Sequence, residues 1–405
     1  MCVLPRFTEV FKISRNSNAK LIRWARLSGQ KRKRVAVQKD RDQIFLAEAL
    51  KLAKEGLYTT HPNPRVGCLL VKDDAVIGRG YHAKAGEAHA EVIALKEAGA
   101  NAKGATAYVT LEPCSFHGRT PACANALIEA GVKRVVAAMT DPHPRNQGNG
   151  FDMLEAAGVE VVRDAASDAA RALNPGHVSL HERGRPFVRI KLAATLDGRT
   201  ALNNGHSQWI TGPAARQDVQ KWRARSAVLI TGAGTVLADD PALSVRDASI
   251  APHLPEAWVT RPRPVFVLDT SGRVPMSAKL WANPEARRVL AKGTTDERGI
   301  ALRTDEARRV DLNALLAHCA EAELSEVLFE CGPTLAGSVI ASGLWDELIL
   351  YLAPKLMGPG RSLLHSPEID NMGDLAEHEI VSVSQLDQDL RVIVRPGVKE
   401  GSRQL

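Results

Sequence analysis

Residues 105–139 read ATAYVTLEPCSFHGRTPACANALIEAGVKRVVAAM. The apolar run 105–111 predicts a strand. The spacing over about 121–130, closed by Gly131, predicts a helix, and 133–139 predicts a second strand. Strand–helix–strand units of this kind belong to a partly parallel sheet covered by helices. On the N-terminal side, RDQIFLAEALKLAKEG (41–56) has helical spacing and ends at Gly56. VGCLLVK (66–72) and 75–82 read as a hairpin around Lys72-Asp73-Asp74, and a helix over 89–98 stops before Gly99. A helix at 151–157 and a strand at 159–162 complete the region. The Pro-, Gly- and charge-rich stretch NPGHVSLHERGRP (174–186) reads as a boundary. Beyond it FVRIKLAAT (187–195) starts a second alternating pattern. Apolar runs follow at 227–231, 264–269, 288–291, 325–330 and 346–352. The expected fold class is α/β in two units, 41–183 and 184–398, with no internal repeat.

Composition agrees with this division. A chain of 405 residues suggests two or three domains at ~100–200 residues each. With 44% apolar and 24% charged residues it can bury a sizeable core, which excludes wholesale disorder. No run of eighteen apolar residues occurs, so no transmembrane helix is expected. Six cysteines are too few for a disulfide scaffold in a chain this long, which points to a reducing compartment. The net charge of +7 belongs to one end of the chain. Residues 1–40 carry eleven Lys/Arg against Glu9 and Asp40, a net of +9, leaving 42 basic and 44 acidic groups, a net of −2, on the rest. That near-neutral body argues against a large phosphate-backbone interface. The basic segment 1–40 could suit an organelle transit peptide, and its Lys31-Arg32-Lys33-Arg34 run could touch nucleic acid. The preferred reading is a disordered, solvated extension.

The first chemical constellation sits around the opening stretch. His89-Ala90-Glu91 starts a helix, Pro113-Cys114 follows a strand, and Cys123 falls in the first turn of a helix behind Thr120-Pro121. One imidazole and two thiolates suit a catalytic zinc with an open fourth position. Zinc brings the pKa of bound water to about 7. Glu91 is not needed as a ligand and can move protons, as in zinc nucleobase deaminases. The bland alternative makes Cys114 and Cys123 core thiols and His89 a helix-cap residue. His-x-Glu alone would not decide against it, but the added Pro-Cys and second Cys do. Cys2, Cys68, Cys319 and Cys331 are read as packing residues.

HAEVIAL (89–95), TLEPCSFHGRTPACANALIEAG (110–131) and HPNPRVGC (61–68) resemble the deaminase half of the bifunctional riboflavin-biosynthesis deaminase/reductase family. The resemblance implies a cytidine-deaminase-like α/β/α domain with zinc ligands His89, Cys114 and Cys123 and Glu91 as the catalytic proton shuttle. It also implies Asn63 and His82 near the pyrimidine ring. Two positions depart from the family pattern. Arg65 stands where a smaller polar residue is expected, and Phe116 where a His is expected. Lys84, His117 and Arg119 could bind a substrate phosphate or be solvated loop charges.

The second unit holds KLAATLDGR (191–199), SQWIT (207–211), GAGTVLADDP (232–241) and FECGPTLAGS (329–338). Neither Gly-x-Gly-x-x-Gly nor Gly-Lys-Ser/Thr occurs. Yet 325–340 has the layout of a phosphate site, an apolar strand ending in glycine where a helix opens. Ordinary turns share that layout. These segments resemble the reductase half of the same family, which implies a dihydrofolate-reductase-like α/β domain using NADPH. Carried over position by position, Ala193, Trp209, Thr235, Asp239, Thr270 and the loop Gly332, Pro333, Thr334, Leu335, Ala336, Gly337 and Ser338 would contact the cofactor. Ser207, Arg223, Leu243, Arg246 and Glu330 would contact substrate, with Arg223 and Arg246 as phosphate clamps. The sequence names no proton donor; Lys191 and Asp239 could each serve, or either could be purely structural.

The expected function is therefore sequential. Zinc-dependent deamination of a phosphoribosylamino-pyrimidine comes first, and NADPH reduction of its ribosyl group to ribityl comes second. The resemblance, which covers about 41–396, further implies a cytoplasmic homo-oligomer acting on a small molecule, with no nucleic-acid or membrane partner. Two rivals are a tRNA-type base deaminase gripping RNA through its tail, and a non-catalytic ligand-binding relative. The neutral body opposes the first, and the intact His89/Glu91/Cys114/Cys123 set opposes the second.

Overall fold

The structure, a computed structural model, describes residues 37–116 and 122–397. A helix, α1, covers 37–53, and a 3-10 turn, Lys54–Gly56, follows. The basic extension read at 1–40 thus lies outside the described residues except for 37–40, which already belong to α1. Strands β1 (Gly67–Lys72) and β2 (Ala75–Tyr81) form the expected hairpin. Asp73 and Asp74 turn it with φ of 51° and 62°, the two left-handed positions that match the twist of paired strands. Then come α2 (Ala90–Ala98), β3 (Thr106–Val109), α3 (Cys123–Glu129), β4 (Arg134–Ala137), α4 (Asn149–Ala156) and β5 (Glu160–Val162). The sheet order is β2-β1-β3-β4-β5, antiparallel among β2, β1 and β3 and parallel from β3 to β5.

Side-chain alternation makes the layers. Cys68 and Leu70 of β1, Ala107 and Val109 of β3, and Val135 and Ala137 of β4 pack with Ala90, Ala94, Leu127, Phe151 and Leu154 of α2, α3 and α4. Leu69, Val71, Tyr108 and Val136 face the other way. They meet Leu46 and Ala49 of α1 and Ala170 and Val178 of α5 (Ser167–Leu173) and α6 (Pro175–Arg183). Helix α2 lies directly on β2, because a Cβ on Gly78 or Gly80 would collide with the carbonyls of Ala94 and Ala90. The stretch 174–186, read as a boundary, is mostly helix. Pro175 takes the first helical position and Gly184 closes the helix at φ 66°. Here Pro and Gly mark helix ends rather than a break.

The second unit contains β6 (Phe187–Thr195), β7 (Arg199–Leu202), α7 (Pro213–Arg225), β8 (Val228–Gly232), α8 (Ala233–Asp239), α9 (Glu256–Val259), β9 (Val265–Leu268), β10 (Ala286–Ala291) and β11 (Gly299–Leu302). It continues with α10 (Leu312–Glu321), β12 (Glu326–Glu330), α11 (Pro333–Ala341), β13 (Glu347–Ala353), β14 (Gly360–Ser362), β15 (His378–Leu386) and β16 (Asp389–Pro396). Nine strands run in the order β11-β10-β9-β8-β12-β6-β13-β16-β15, and β7 pairs with β14 apart from them. The strands from β11 to β13 are parallel, while β16 and β15 are antiparallel. Ile190, Leu192, Val228, Ile230, Val327 and Phe329 fill the centre of one core layer. Parallel strands buried on both faces give the continuous apolar runs of the sequence. Strand β15, largely exposed, carries no such run. The chain passes from β6 beyond β12 to reach β8, so the carboxyl ends of β6, β8, β9 and β12 share one edge at a switch in strand order. Open α/β sheets place their ligand crevice there.

Candidate active sites

In the first unit, the end of β3 and the starts of α2 and α3 meet. His89 is the N-cap of α2, in extended backbone, and its side chain makes no capping bond. Cys123 is the first residue of α3, and Cys114 lies in the loop after β3. His89 Nδ1 stands 3.2 Å from Cys123 Sγ and 3.8 Å from Cys114 Sγ, and the three donor atoms lie within 4.8 Å of one another. Zn–N and Zn–S bonds of about 2.1 and 2.3 Å at tetrahedral angles would separate such donors by about 3.5–3.8 Å. The trio therefore fits zinc. Its acid–base chemistry fits as well. The hydrogen bond from Cys123 draws the Cys114 thiol down to about 4 against its burial, and the same contact, with burial, pushes Cys123 up. A divalent cation is the ligand that lets both thiols ionise side by side. Among the described residues no other group of His, Cys, Asp or Glu side chains converges in this way.

Glu91, in the first turn of α2, is buried. Burial and then the Cys114 charge raise its carboxyl to about 6, the range suited to moving protons near neutrality. Asn63 Nδ2 lies 3.0 Å from His82 Nε2, and His82 Nδ1 lies 3.1 Å from the Ala88 carbonyl. The His82 ring stands edge-on to His89 at 5.3 Å, so Asn63 and His82 flank the trio. Lys84 Nζ sits 4.7 Å from the Trp258 ring centre, against the second unit. Phe116 packs under the Arg145 guanidinium at 4.3 Å. His117, Arg119, Thr120 and Pro121 lie outside the described residues, and α3 starts at Cys123 behind its N-cap Ala122 rather than at the expected Thr120-Pro121, because the non-helical backbone of Ala122 separates the two. Cys68 and Cys319 are buried in the cores, as read, while Cys331 borders the second cavity. The sequence reading missed Glu112. Its carboxylate accepts N–H bonds from Asp141, Gly148 and Gly150 at 2.9–3.1 Å, which ties the loop of Cys114 to the start of α4. Its one sequence signal is an acid directly before Pro113-Cys114.

In the second unit a cavity of about 1840 Å³ opens at the carboxyl edge of the sheet. Ala193, Trp209, Thr235, Asp239, Thr270, Gly332, Pro333, Thr334, Leu335, Gly337 and Ser338 line it. Ala336 does not, because it lies on the face of α11 that packs into the core and is fully buried. The adjacent parallel strands β8 and β12 each lead into a helix through a glycine N-cap, Gly232 for α8 and Gly332 for α11, and neither helix has a side-chain cap. Gly332 N–H donates to Thr235 Oγ1 at 3.1 Å. Uncapped N–H groups at α11 in a cavity of this size form a cradle that fits a dinucleotide diphosphate. Trp209 is 65% exposed, and the Arg216 guanidinium lies 4.6 Å from its ring centre.

Ser207, Arg223, Leu243, Arg246 and Glu330 line the same cavity. Arg223 grips Glu330 with both arms, at 2.6 and 2.9 Å, and this pairing outweighs burial to hold the Glu330 carboxyl below its usual range. The backbone of Arg246 is held by Gln220 at 2.9 Å. Among the described residues its guanidinium makes no hydrogen bond. Ser207 Oγ donates to Asp239 at 2.9 Å. Lys191 of β6 stands in register with Glu330 of β12, and burial pushes its ammonium pKa down.

Two family models match the chain. Residues 39–139 match the cytidine and deoxycytidylate deaminase zinc-binding region, and residues 186–392 match the RibD C-terminal domain. The riboflavin biosynthesis protein RibD of Escherichia coli is 43% identical over 360 residues, 86% of this chain and 98% of that protein. The Haemophilus influenzae protein of the same name is 42% identical over 363 residues, 88% of this chain and 97% of its own. Among solved structures, Acinetobacter baumannii RibD superposes with a TM-score of 0.83 at 43% identity, covering 89% of this chain and all of that one. A Thermotoga maritima diaminohydroxyphosphoribosylaminopyrimidine deaminase/5-amino-6-(5-phosphoribosylamino)uracil reductase gives 0.78 at 29% identity with the same coverage.

Proposed function

The chain belongs to the RibD family of riboflavin-biosynthesis enzymes, a zinc-dependent deaminase and an NADPH-dependent reductase in one polypeptide, and from that premise we propose which of its side chains carry each step. The observation that carries the proposal is the convergence of His89, Cys114 and Cys123 beside a buried Glu91. In this reading 41–183 forms the deaminase and 184–398 the reductase, with 1–40 an extension. The separate sheets and the two matched segments support that division.

His89, Cys114 and Cys123 hold the zinc, which when bound supplies an activated water for attack on the amino-bearing ring carbon. Glu91 takes the proton of the attacking water and returns it to the departing nitrogen, so that ammonia leaves and a carbonyl remains. Asn63 and His82 orient the pyrimidine against the trio. In the reductase cavity, α11 and its Gly332 N-cap hold the NADPH diphosphate. Trp209, Thr235, Asp239 and Thr270 border the rest of the nucleotide. NADPH supplies the hydride that reduces the ribosyl C1′ to an open ribityl chain. Arg246, free to turn toward an anion, takes the substrate phosphate, and Arg223 acts with Glu330 as a rigid wall. Of the titratable groups that line the cavity, Lys191 or Asp239 is assigned the delivery of a proton to the opening sugar.

The substrate is the 2,5-diamino-6-(5-phospho-ribosylamino)pyrimidin-4-one implied by the family, a small molecule rather than a nucleic acid. The net −2 of the chain beyond residue 40 supports this. A homo-oligomer is supported by the edge strand β15, which exposes Ile380 (64%), Val381 and Val383. Five free thiols among the described residues support a reducing cytoplasm, and no described helix is long and apolar enough to cross a membrane.

The order of reactions provides a test. Given the diaminopyrimidine and NADPH, the enzyme should release ammonia before NADPH absorbance falls. Given pre-deaminated substrate, it should oxidise NADPH with no lag and no ammonia. NADPH oxidation that precedes ammonia release would reverse the assigned sequence.

A further inference from the structure

The loop that carries Asn63 is held at both ends by the second unit. At its start, Tyr58 packs against the apolar cluster of Ala224, Val245, Leu254 and Val259, and its carbonyl accepts Arg263 Nη2 at 3.1 Å. In the middle, His61 Nε2 lies 3.0 Å from the Glu323 carbonyl, just before β12. Burial, with the neighbouring Arg65 charge, pushes the His61 imidazole down to about 4, so the ring is neutral and donates through Nε2. At its end, the buried Arg65 guanidinium reaches Glu326 on β12 through Nη1. Its Nη2 meets the Leu57 and Arg225 carbonyls at 3.3 and 3.2 Å. The backbone of Arg65 is fixed as well. Its N–H donates to Asn174 Oδ1 at 2.8 Å, and its carbonyl accepts Asn174 Nδ2 at 2.9 Å.

Glu326 is built to receive this arm. Burial alone would raise its carboxyl, yet Arg65, Arg225 and Arg189 together hold it well below the usual carboxylate range. Arg189 in turn grips Glu347 of β13 at 2.8 Å. The loop is thus anchored in a buried ionic cluster inside the nine-stranded sheet. Within the first unit, Asn63 is fixed by its N–H to the Thr60 carbonyl at 2.8 Å and by its side chain on His82.

We propose that the reductase unit completes the deaminase site, with Arg65 and His61 as positioning residues that set Asn63 against the pyrimidine by tying its loop to Glu326, Arg225 and Glu323. The proposal rests on the reading of Asn63 as a substrate contact. It gives a physical role to Arg65, the residue at which the HPNP segment departs from the expected pattern. Arginine is the side chain that can reach a buried carboxylate and two carbonyls at once. Displacement of a substrate-orienting group by about 1 Å can cost up to 10²-fold in rate.

The test uses full-length protein with substitutions on the deaminase side of the contact. Arg65→Gln leaves Glu326 paired with Arg189 and Arg225. It should lower deaminase kcat/KM at least about tenfold, with zinc content unchanged and reduction of pre-deaminated substrate within about twofold of wild type. In a Glu91→Gln background, where substrate binds without turnover, adding Arg65→Gln should weaken pyrimidine binding in equilibrium dialysis. His61→Ala should show the same selective loss, and His61→Gln, which keeps an N–H donor, should recover much of it. This second pair answers the question if Arg65→Gln fails to fold. Folded, zinc-loaded variants that deaminate at the wild-type rate would overturn the proposal, as would equal loss of both activities. Asn63→Ala separates the premise. Unchanged deamination there removes Asn63 as a substrate contact, whereas loss there with none in the Arg65 and His61 variants removes only the brace.

Discussion

Glu91→Gln is expected to leave zinc bound and to lower ammonia release by about 10²–10⁴-fold, the span typical of losing a general acid–base group. Gln matches Glu in size, so the packing of α2 on β2 is kept. The exchange also removes a carboxylate that burial already disfavours, so the folded protein should be no less stable. Glu91 is not one of the three converging ligands, and zinc stoichiometry should stay at the wild-type level. The reductase cavity lies on the other sheet. NADPH oxidation with pre-deaminated substrate should therefore be unchanged. Ammonia assays, metal analysis and NADPH absorbance on one preparation check all three points. Loss of both activities in a folded, zinc-loaded variant would break the assignment of one reaction to each unit.

Gly332→Asp is expected to separate stability from cofactor binding. Gly332 is the N-cap of α11 at φ −78° and ψ 174°, and a Cβ there would meet only Thr235 Oγ1 at 3.7 Å, an ordinary contact. Aspartate is a better N-cap than glycine by a few tenths of a kcal/mol, because its carboxylate accepts the free N–H groups of the first turn. The same carboxylate would stand where the NADPH diphosphate must approach. Competition for those donors and like-charge repulsion should raise the Kd for NADPH on the order of 100-fold. Thermal unfolding should occur at the wild-type temperature or slightly above, and deamination should be untouched. Fluorescence titration with NADPH reads the binding. An affinity within about twofold of wild type would remove the α11 N-terminus from the cofactor site.

Local pattern makes part of this molecule legible in its amino-acid sequence. Strand–helix alternation around 105–139 gives the layered sheet, because parallel strands buried on both faces must be apolar throughout. His89, Cys114 and Cys123 can be found because each sits at the end of an element, where short spacing rules apply. What escapes is set by tertiary placement. Arg65 looks like a loop charge until the strand bearing Glu326 is brought beside it. Glu112 gains its role from the N–H groups of Gly148 and Gly150, some forty residues away. Lys191 and Glu330 meet only through the parallel register of β6 and β12. Ala336 belongs by position to the glycine loop at the cavity, yet helical rotation turns it into the core. Helix α6 escapes because Pro175 and Gly184 carry the same letters at a helix boundary as in a loop. Strand β15 escapes because its exposed position at the sheet edge calls for no apolar run.

The central claim is that one imidazole and two thiolates of this chain hold the ion on which deamination depends. X-ray absorption at the zinc edge of the full-length protein tests it most directly, with Cys123→Ser measured alongside. The account predicts one zinc per chain with two sulfur ligands and one imidazole, and loss of a sulfur or of the metal itself in the variant. A zinc shell without sulfur, or one unchanged by Cys123→Ser, would contradict it.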